Sequence, residues 1–148
     1  MSIKVRALGD KDFFSWLGLF EGYSEFYKNE LTDQKALQVW AWIIDKNESL
    51  TGAVAVDDDG RFVGLAHYRE VPNTLSATHG LFLDDLFVTP ESRSTGTGRA
   101  LIEFAKEYAA QHRLTTVQWL TAADNEPAQR LYDDVATRTD WVTYEIEL

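Results

Sequence analysis

Residues 88–99 read Val-Thr-Pro-Glu-Ser-Arg-Ser-Thr-Gly-Thr-Gly-Arg, and this junction constrains the fold more than any other stretch of the chain. An apolar run ends at Val88, a polar loop follows, and Gly96 and Gly98 stand where a helical pattern begins. The first N–H groups of a helix have no helical acceptor, and with the helix dipole they make an anion site. Glycine lets the backbone approach a phosphate closely, and Arg93 or Arg99 adds charge-assisted contacts. A strand feeding a helix in this way belongs to a mixed α/β fold and points to a phosphate-bearing cofactor. Two common nucleotide signatures fail. A P-loop needs Lys-Ser or Lys-Thr after its last glycine, where Arg99-Ala100 stand. A dinucleotide fingerprint needs a third small residue where Leu101 lies, and an acidic residue where Trp119-Leu120 end the next strand.

The surrounding pattern supplies the other elements. Residues 3–8 alternate as a strand, and Asp10 reads as the N-cap of a helix carrying Phe13, Phe20 and Tyr27 at helical spacing. A second helix starts at Thr32, with Leu37, Trp40, Ala41 and Ile44 on one face. Residues 49–56 and 61–71 form a hairpin about Asp57-Asp58-Asp59-Gly60. Pro72 ends that pairing and residues 72–80 form a polar loop. Strands are expected at 81–89, 115–121 and 141–148, and helices at 98–112 and 126–135, with Pro127 in the first turn of the last. The order β α α β β β α β α β describes one domain over residues 1–148: a central, mostly antiparallel mixed sheet flanked by helices.

Composition removes several classes of function. The chain has no cysteine, which excludes disulfides, thiolate catalysis and cysteine-ligated zinc, and no metal is expected. A net charge of −10 without a basic cluster disfavours nucleic acid and favours cations such as amines. No apolar run approaches the ~18 residues of a membrane span, so a cytoplasmic protein is expected.

Arg93-x-x-Gly96-x-Gly98 resembles the pyrophosphate signature of the GNAT superfamily of N-acetyltransferases. Leu83-Asp84-Asp85-Leu86-Phe87-Val88-Thr89-Pro90 before it and Asn125-Glu126-Pro127-Ala128-x-x-Leu131-Tyr132 after it extend the resemblance over nearly the whole chain. One departure is Ser94, where many members carry glycine. The resemblance implies acetyl-CoA as co-substrate. It implies that backbone groups of Leu86, Phe87 and Val88 pair with the pantetheine arm. The N–H groups of Ser94, Thr95, Gly96, Thr97, Gly98 and Arg99 would hold the pyrophosphate, with Arg93 beside them. Asn125 would bind pantetheine besides capping its helix, and Tyr132 would return a proton to the departing thiolate.

Acetyl transfer needs a neutral amine, which a carboxylate can produce by taking its proton. Adjacent Asp84 and Asp85 in an apolar strand are costly for stability, and a bulge would bring both to one cleft. The stretch resembles the Leu-Glu-Asp-Phe-Phe-Val of spermidine/spermine N-acetyltransferases, and His67-Tyr68-(x)3-Pro72 is similar to that branch as well. The resemblance places Asp84 as base and Asp85 as amine anchor. His67 reads as a structural histidine. Tyr27 and Glu30 near the end of the first helix suit a cationic acceptor; Trp40, Trp42, Trp119 and Trp141 are assigned to packing. The expected activity is acetylation of a small cationic amine, a polyamine or an amino-acid-like molecule. The alternatives are acetylation of protein lysines or N-termini, and a non-catalytic CoA sensor. The apolar alternation of residues 141–148 predicts an edge strand and a homodimer.

Overall fold

The computed structural model describes residues 2–45 and 48–148. Its elements run β1 (Lys4–Ala7), α1 (Phe13–Phe26), α2 (Asp33–Ile44), β2 (Thr51–Val56), β3 (Phe62–Asn73), β4 (Thr78–Val88), α3 (Thr97–Gln111), β5 (Val117–Trp119) and α4 (Glu126–Val135). The strands form one sheet in the order β1-β2-β3-β4-β5, antiparallel throughout except for the parallel pair β4–β5. The mixed, mostly antiparallel class expected from the sequence is the class observed.

Period-two alternation decides which residues meet which helix. Ala53, Ala55, Ala66, Leu81 and Leu83 pack with Leu101, Ala105 and Ala109 of α3, whereas Val54, Leu65 and Phe87 pack with Trp16 and Leu19 of α1 and Ile43 of α2. Small residues bring α3 close to the sheet. A Cβ on Gly64 would stand 2.9 Å from Thr97 Cγ2 and 3.0 Å from Leu101 Cδ1. The β2–β3 turn closes as expected, with Gly60 at φ +80° and its N–H donating to the Asp57 carbonyl at 3.1 Å.

Three expectations are corrected. Asp10 does not cap α1. A 3-10 turn over Asp10–Asp12 comes first, and Asp12 accepts from the Gly9 N–H at 2.7 Å and from both Nη atoms of Arg6 at 2.7 and 3.0 Å. Pro72 does not end pairing: it lies within β3 opposite His79, and only residues 74–77 turn. β2 stops opposite Tyr68, so beyond it β3 has a neighbour on one side alone, the setting in which proline is tolerated. Residues 141–148 form no strand. They pair with no strand of the sheet, and Trp141, Val142, Tyr144, Ile146 and Leu148 are 78% or more exposed.

Candidate active site

β4 and β5 pair only from Leu81 to Leu83 against Val117 to Trp119. Beyond that point the strands part, so β4 keeps β3 on one side and a free edge on the other over Asp84, Leu86, Phe87 and Val88. The opening is a cleft of about 660 Å³. Its walls include Leu86, Phe87 and Val88 from β4, Arg93, Ser94, Gly96, Gly98 and Arg99 from the junction, and Asn125, Leu131 and Tyr132 from α4 and its cap. The residues selected from the sequence for the cofactor therefore meet in one place, Thr95 and Thr97 excepted. The Thr97 side chain turns inward, 1% exposed, and its hydroxyl lies 2.9 Å from that of Thr95. Neither residue lines the cleft.

The junction has the geometry an anion needs. The first helical bond of α3 runs from Ala100 N–H to the Gly96 carbonyl at 2.9 Å, which leaves the amides of Thr97, Gly98 and Arg99 without a helical acceptor. Gly96 has φ +87°, and a Cβ there would meet nothing within 4 Å, so the loop is open over the helix end. Ser94 also has positive φ, +64°. Arg93 is held in place: its Nε donates to the Val88 carbonyl at 3.2 Å and its guanidinium sits 5.2 Å from the Phe26 ring centroid. Arg99 pairs instead with Asp134 of α4, Nη2 to Oδ2 at 2.5 Å. A CoA diphosphate and pantetheine arm fit this arrangement of open amides and a free strand edge.

Tyr132 and Asn125 border the cleft on the α4 side. Burial, and then the neighbouring Tyr27, push the Tyr132 hydroxyl up to about 12. Tyr132 is thus a neutral O–H donor at physiological pH. Asn125 caps α4, its Oδ1 accepting from Ala128 N–H at 3.4 Å.

The bulge expected at the two carboxylates is present: His67 faces Asp85 and Tyr68 faces Leu83, so Asp84 is the additional residue. The bulge divides the carboxylates rather than gathering them. Asp84 lines the cofactor cleft, and both its oxygens accept from Arg69 Nε at 3.1 and 2.9 Å. Asp85 lines a second cavity of about 890 Å³ between α1, α2 and β4. Tyr23 and Tyr27 line both cavities, so the two spaces adjoin. Asp85 Oδ2 lies 2.8 Å from His67 Nδ1. Burial disfavours its charge, yet the His67 and Tyr23 donors outweigh burial and hold its carboxyl below the ordinary range. The Tyr23 hydroxyl is pushed well up, by burial first and then by the Asp85 charge.

Other expectations fail here. Glu30 lines neither cavity; its carbonyl accepts from Lys35 Nζ at 3.1 Å. Trp119 is on the cleft wall beside Tyr132, and Trp42 lines the second cavity, so neither serves packing alone. Trp40 does pack, 5.0 Å from Trp16 between ring centroids. The sequence reading passed over Lys35, a cation on the second cavity, and Arg69 on Asp84. Both are solvent-facing charges by local pattern, and only the tertiary arrangement places them. No group of three or more His, Cys, Asp or Glu among the described residues could hold a metal ion, and no described helix is long and apolar enough to cross a membrane.

Comparison with known proteins agrees with this geometry. The model of the acetyltransferase (GNAT) family matches residues 16–135. The D-amino-acid N-acetyltransferase HPA3 of Saccharomyces cerevisiae is 35% identical over 144 residues, covering 97% of this chain and 89% of that relative. The uncharacterized N-acetyltransferase YhfO of Bacillus subtilis is 28% identical over 131 residues, covering 88% and 87%. Among solved structures, AAC(6')-Iy in complex with a CoA-S-monomethyl-acetylneamine bisubstrate analog superposes with a TM-score of 0.85 at 18% identity, over 100% of this chain and 99% of that one. A ribosomal-protein-alanine N-acetyltransferase from Brucella melitensis biovar Abortus superposes with a TM-score of 0.83 at 18% identity, over 100% of both chains.

Proposed function

Because this chain belongs to the acetyltransferase (GNAT) family and is an acetyl-CoA-dependent N-acetyltransferase, we propose that its acceptor is a small molecule bearing both an amine and a carboxylate, of the amino-acid type. The observation that carries this reading is the lining of the second cavity, which holds one carboxylate, Asp85, and one ammonium, Lys35. Asp85 attracts the amino group and Lys35 the carboxylate, while the faces of Tyr23, Tyr27 and Trp42 enclose the carbon skeleton. A polyamine carries several positive charges and would meet a single carboxylate and a like-charged Lys35. The amino-acid reading therefore outranks the polyamine one. The yeast relative, a D-amino-acid N-acetyltransferase, supports the same choice.

In the proposed reaction the acceptor passes from the second cavity into the cofactor cleft along the paired Tyr23 and Tyr27 rings, which line both spaces. Asp84 takes the amine proton through a bridging water, since Arg69 already occupies its oxygens. The amine nitrogen bonds to the thioester carbonyl carbon, and a backbone N–H near Leu86 receives the developing oxyanion charge. The carbon–sulfur bond breaks, Tyr132 gives its proton to the departing thiolate, and the second proton of the attacking nitrogen, lost as the amide forms, returns through solvent to the Tyr132 oxygen. The test is a thiol-release assay pairing each amino acid with its decarboxylated amine. Amino acids should turn over with the lower KM, and Lys35→Met should raise the KM of amino acids without raising that of the amines. Preferred turnover of spermidine or spermine overturns the reading.

The same reading includes a homodimer. Five large apolar side chains of residues 141–148 find no cover in their own chain, and β5 has a free outer edge. A second copy supplies the complementary surface.

A further inference from the structure

Trp16 and His67 are both fully buried, at 0% exposure. Trp16 Nε1 lies 3.0 Å from His67 Nε2. An indole N–H only donates, so His67 Nε2 must accept and carries no proton. The ring proton is therefore on Nδ1, which donates to Asp85 Oδ2 at 2.8 Å. Phe20 closes one side of the imidazole edge-on, centroids 5.4 Å apart at 80°, and the Trp16 ring lies 6.1 Å away on another. Neither a ring flip nor the other tautomer keeps both hydrogen bonds.

We propose that His67 is a positioning residue for the acceptor: Trp16 fixes its tautomer, and its Nδ1–H aims the Asp85 carboxylate into the acceptor cavity. This rests on the reading of Asp85 as the amine anchor. The chain of bonds runs from the α1 core, through β3, to the bulge of β4. Without a donor at Oδ2, Asp85 would be a carboxylate at the cavity wall with its torsion unspecified. With it, one oxygen is committed and the other is left for the ammonium and for Tyr23. The arrangement resembles a carboxylate–histidine relay but cannot pass a proton, because the far nitrogen's lone pair is already bonded to the Trp16 N–H. His67 holds Asp85 and does not exchange protons with substrate.

Steady-state kinetics with separate acceptor and cofactor titrations test this. His67→Ala should raise the acceptor KM about tenfold, the scale of one charge-assisted hydrogen bond, with cofactor KM and kcat within about twofold. His67→Asn, whose Nδ2–H stands near the imidazole Nδ1 site, should recover most of the loss. Combined with Asp85→Asn, His67→Ala should add nothing further to the acceptor KM. Additive losses, or a loss confined to kcat, overturn the proposal. Should Asp85→Asn leave the acceptor KM unchanged, the amine anchor falls and this proposal with it. Should Asp85→Asn raise it while His67→Ala does not, the positioning role alone falls. Since the site is buried and His67→Ala risks misfolding, nitrogen-15 NMR of the unsubstituted protein gives a second measurement. It should show His67 protonated at Nδ1 and bare at Nε2, and a ring protonated at Nε2 overturns the proposal.

Discussion

The Tyr132 ring meets the Trp119 ring edge-on, with centroids 5.3 Å apart and planes at 79°. Trp119 is the last residue of β5, paired with Leu83 where the sheet opens, and Tyr132 lies in the middle of α4. This contact ties the helix bearing Tyr132 to the strand that bounds the cleft. Gly98 of α3 supports it from the other side, since a Cβ there would come within 3.1 Å of Leu131 Cδ2. The Tyr132 ring is therefore located by packing among β5, α3 and α4.

Tyr132→Phe keeps that ring contact and removes only the hydroxyl. It should lower kcat by about 10²-fold or more, in the range of a lost general acid, while CoA affinity measured by calorimetry changes by less than about twofold. Unchanged turnover would remove Tyr132 from the chemistry. Asp84→Asn should lower kcat on a similar scale, with both KM values little changed, if Asp84 accepts the amine proton.

The acidities of Asp85 and Tyr132 are shifted in opposite directions. Asp85 titrates below its ordinary 3.8 in the folded protein, so its stabilising contribution is complete above pH 3.8 and is lost as pH falls through the folded value. Asp85→Asn should flatten acid unfolding below about pH 4 and leave stability between pH 5 and 8 without a pH trend of its own. Tyr132 is raised from 10.0 to about 12, so its contribution is complete below pH 10 and is lost as pH climbs through about 12. The kcat profile should therefore show no loss of the Tyr132 proton up to about pH 10. An alkaline limb near pH 8 that disappears in Tyr132→Phe would contradict the upward shift of that hydroxyl.

Local signals proved readable, and long-range ones did not. The junction at residues 88–99 and the Asn125-Glu126-Pro127 helix start depend on neighbours within a few positions, and both are formed as the sequence suggests. The bulge at Asp84 was legible because two carboxylates break an apolar strand. Which cavity each would enter was not, because that depends on Arg69 and His67 across the β3–β4 register. Pro72 misled for a related reason: whether a proline sits on an edge depends on where β2 stops. Glu30 shared a segment with Tyr27 but not a surface. Trp16 lies at helical spacing between Phe13 and Phe20, and nothing local distinguishes an indole that fixes a histidine tautomer from one that only fills space.

Ser94 sits at φ +64°, a region that costs a residue with a Cβ about 1–2 kcal/mol relative to glycine. The resemblance to family members with glycine here takes on a physical meaning: the loop keeps the left-handed turn, and serine bears the strain. Ser94→Gly should raise the melting temperature by about 2–4 °C and leave CoA affinity equal or tighter, since the amide stays where it is. A lower melting temperature would mean that the Ser94 side chain contributes more than its backbone costs.

Val142, Tyr144, Ile146 and Leu148 alternate along the sequence and are 78%, 93%, 86% and 117% exposed. Apolar area on this scale is costly to leave in water, at about 25 cal/mol per Å². β5, only three residues long, presents an unpaired edge on the side away from β4. A strand from a second copy laid on that edge would cover both surfaces and, by C2 symmetry, do so twice. Light scattering should give about twice the 16.8 kDa chain mass at micromolar concentration. Replacing Tyr144 and Ile146 together with Lys should convert the protein to monomer. Because β5 carries Trp119, the ring that seats Tyr132, the monomer should also lose kcat, and a monomeric wild type of full activity would refute the coupling.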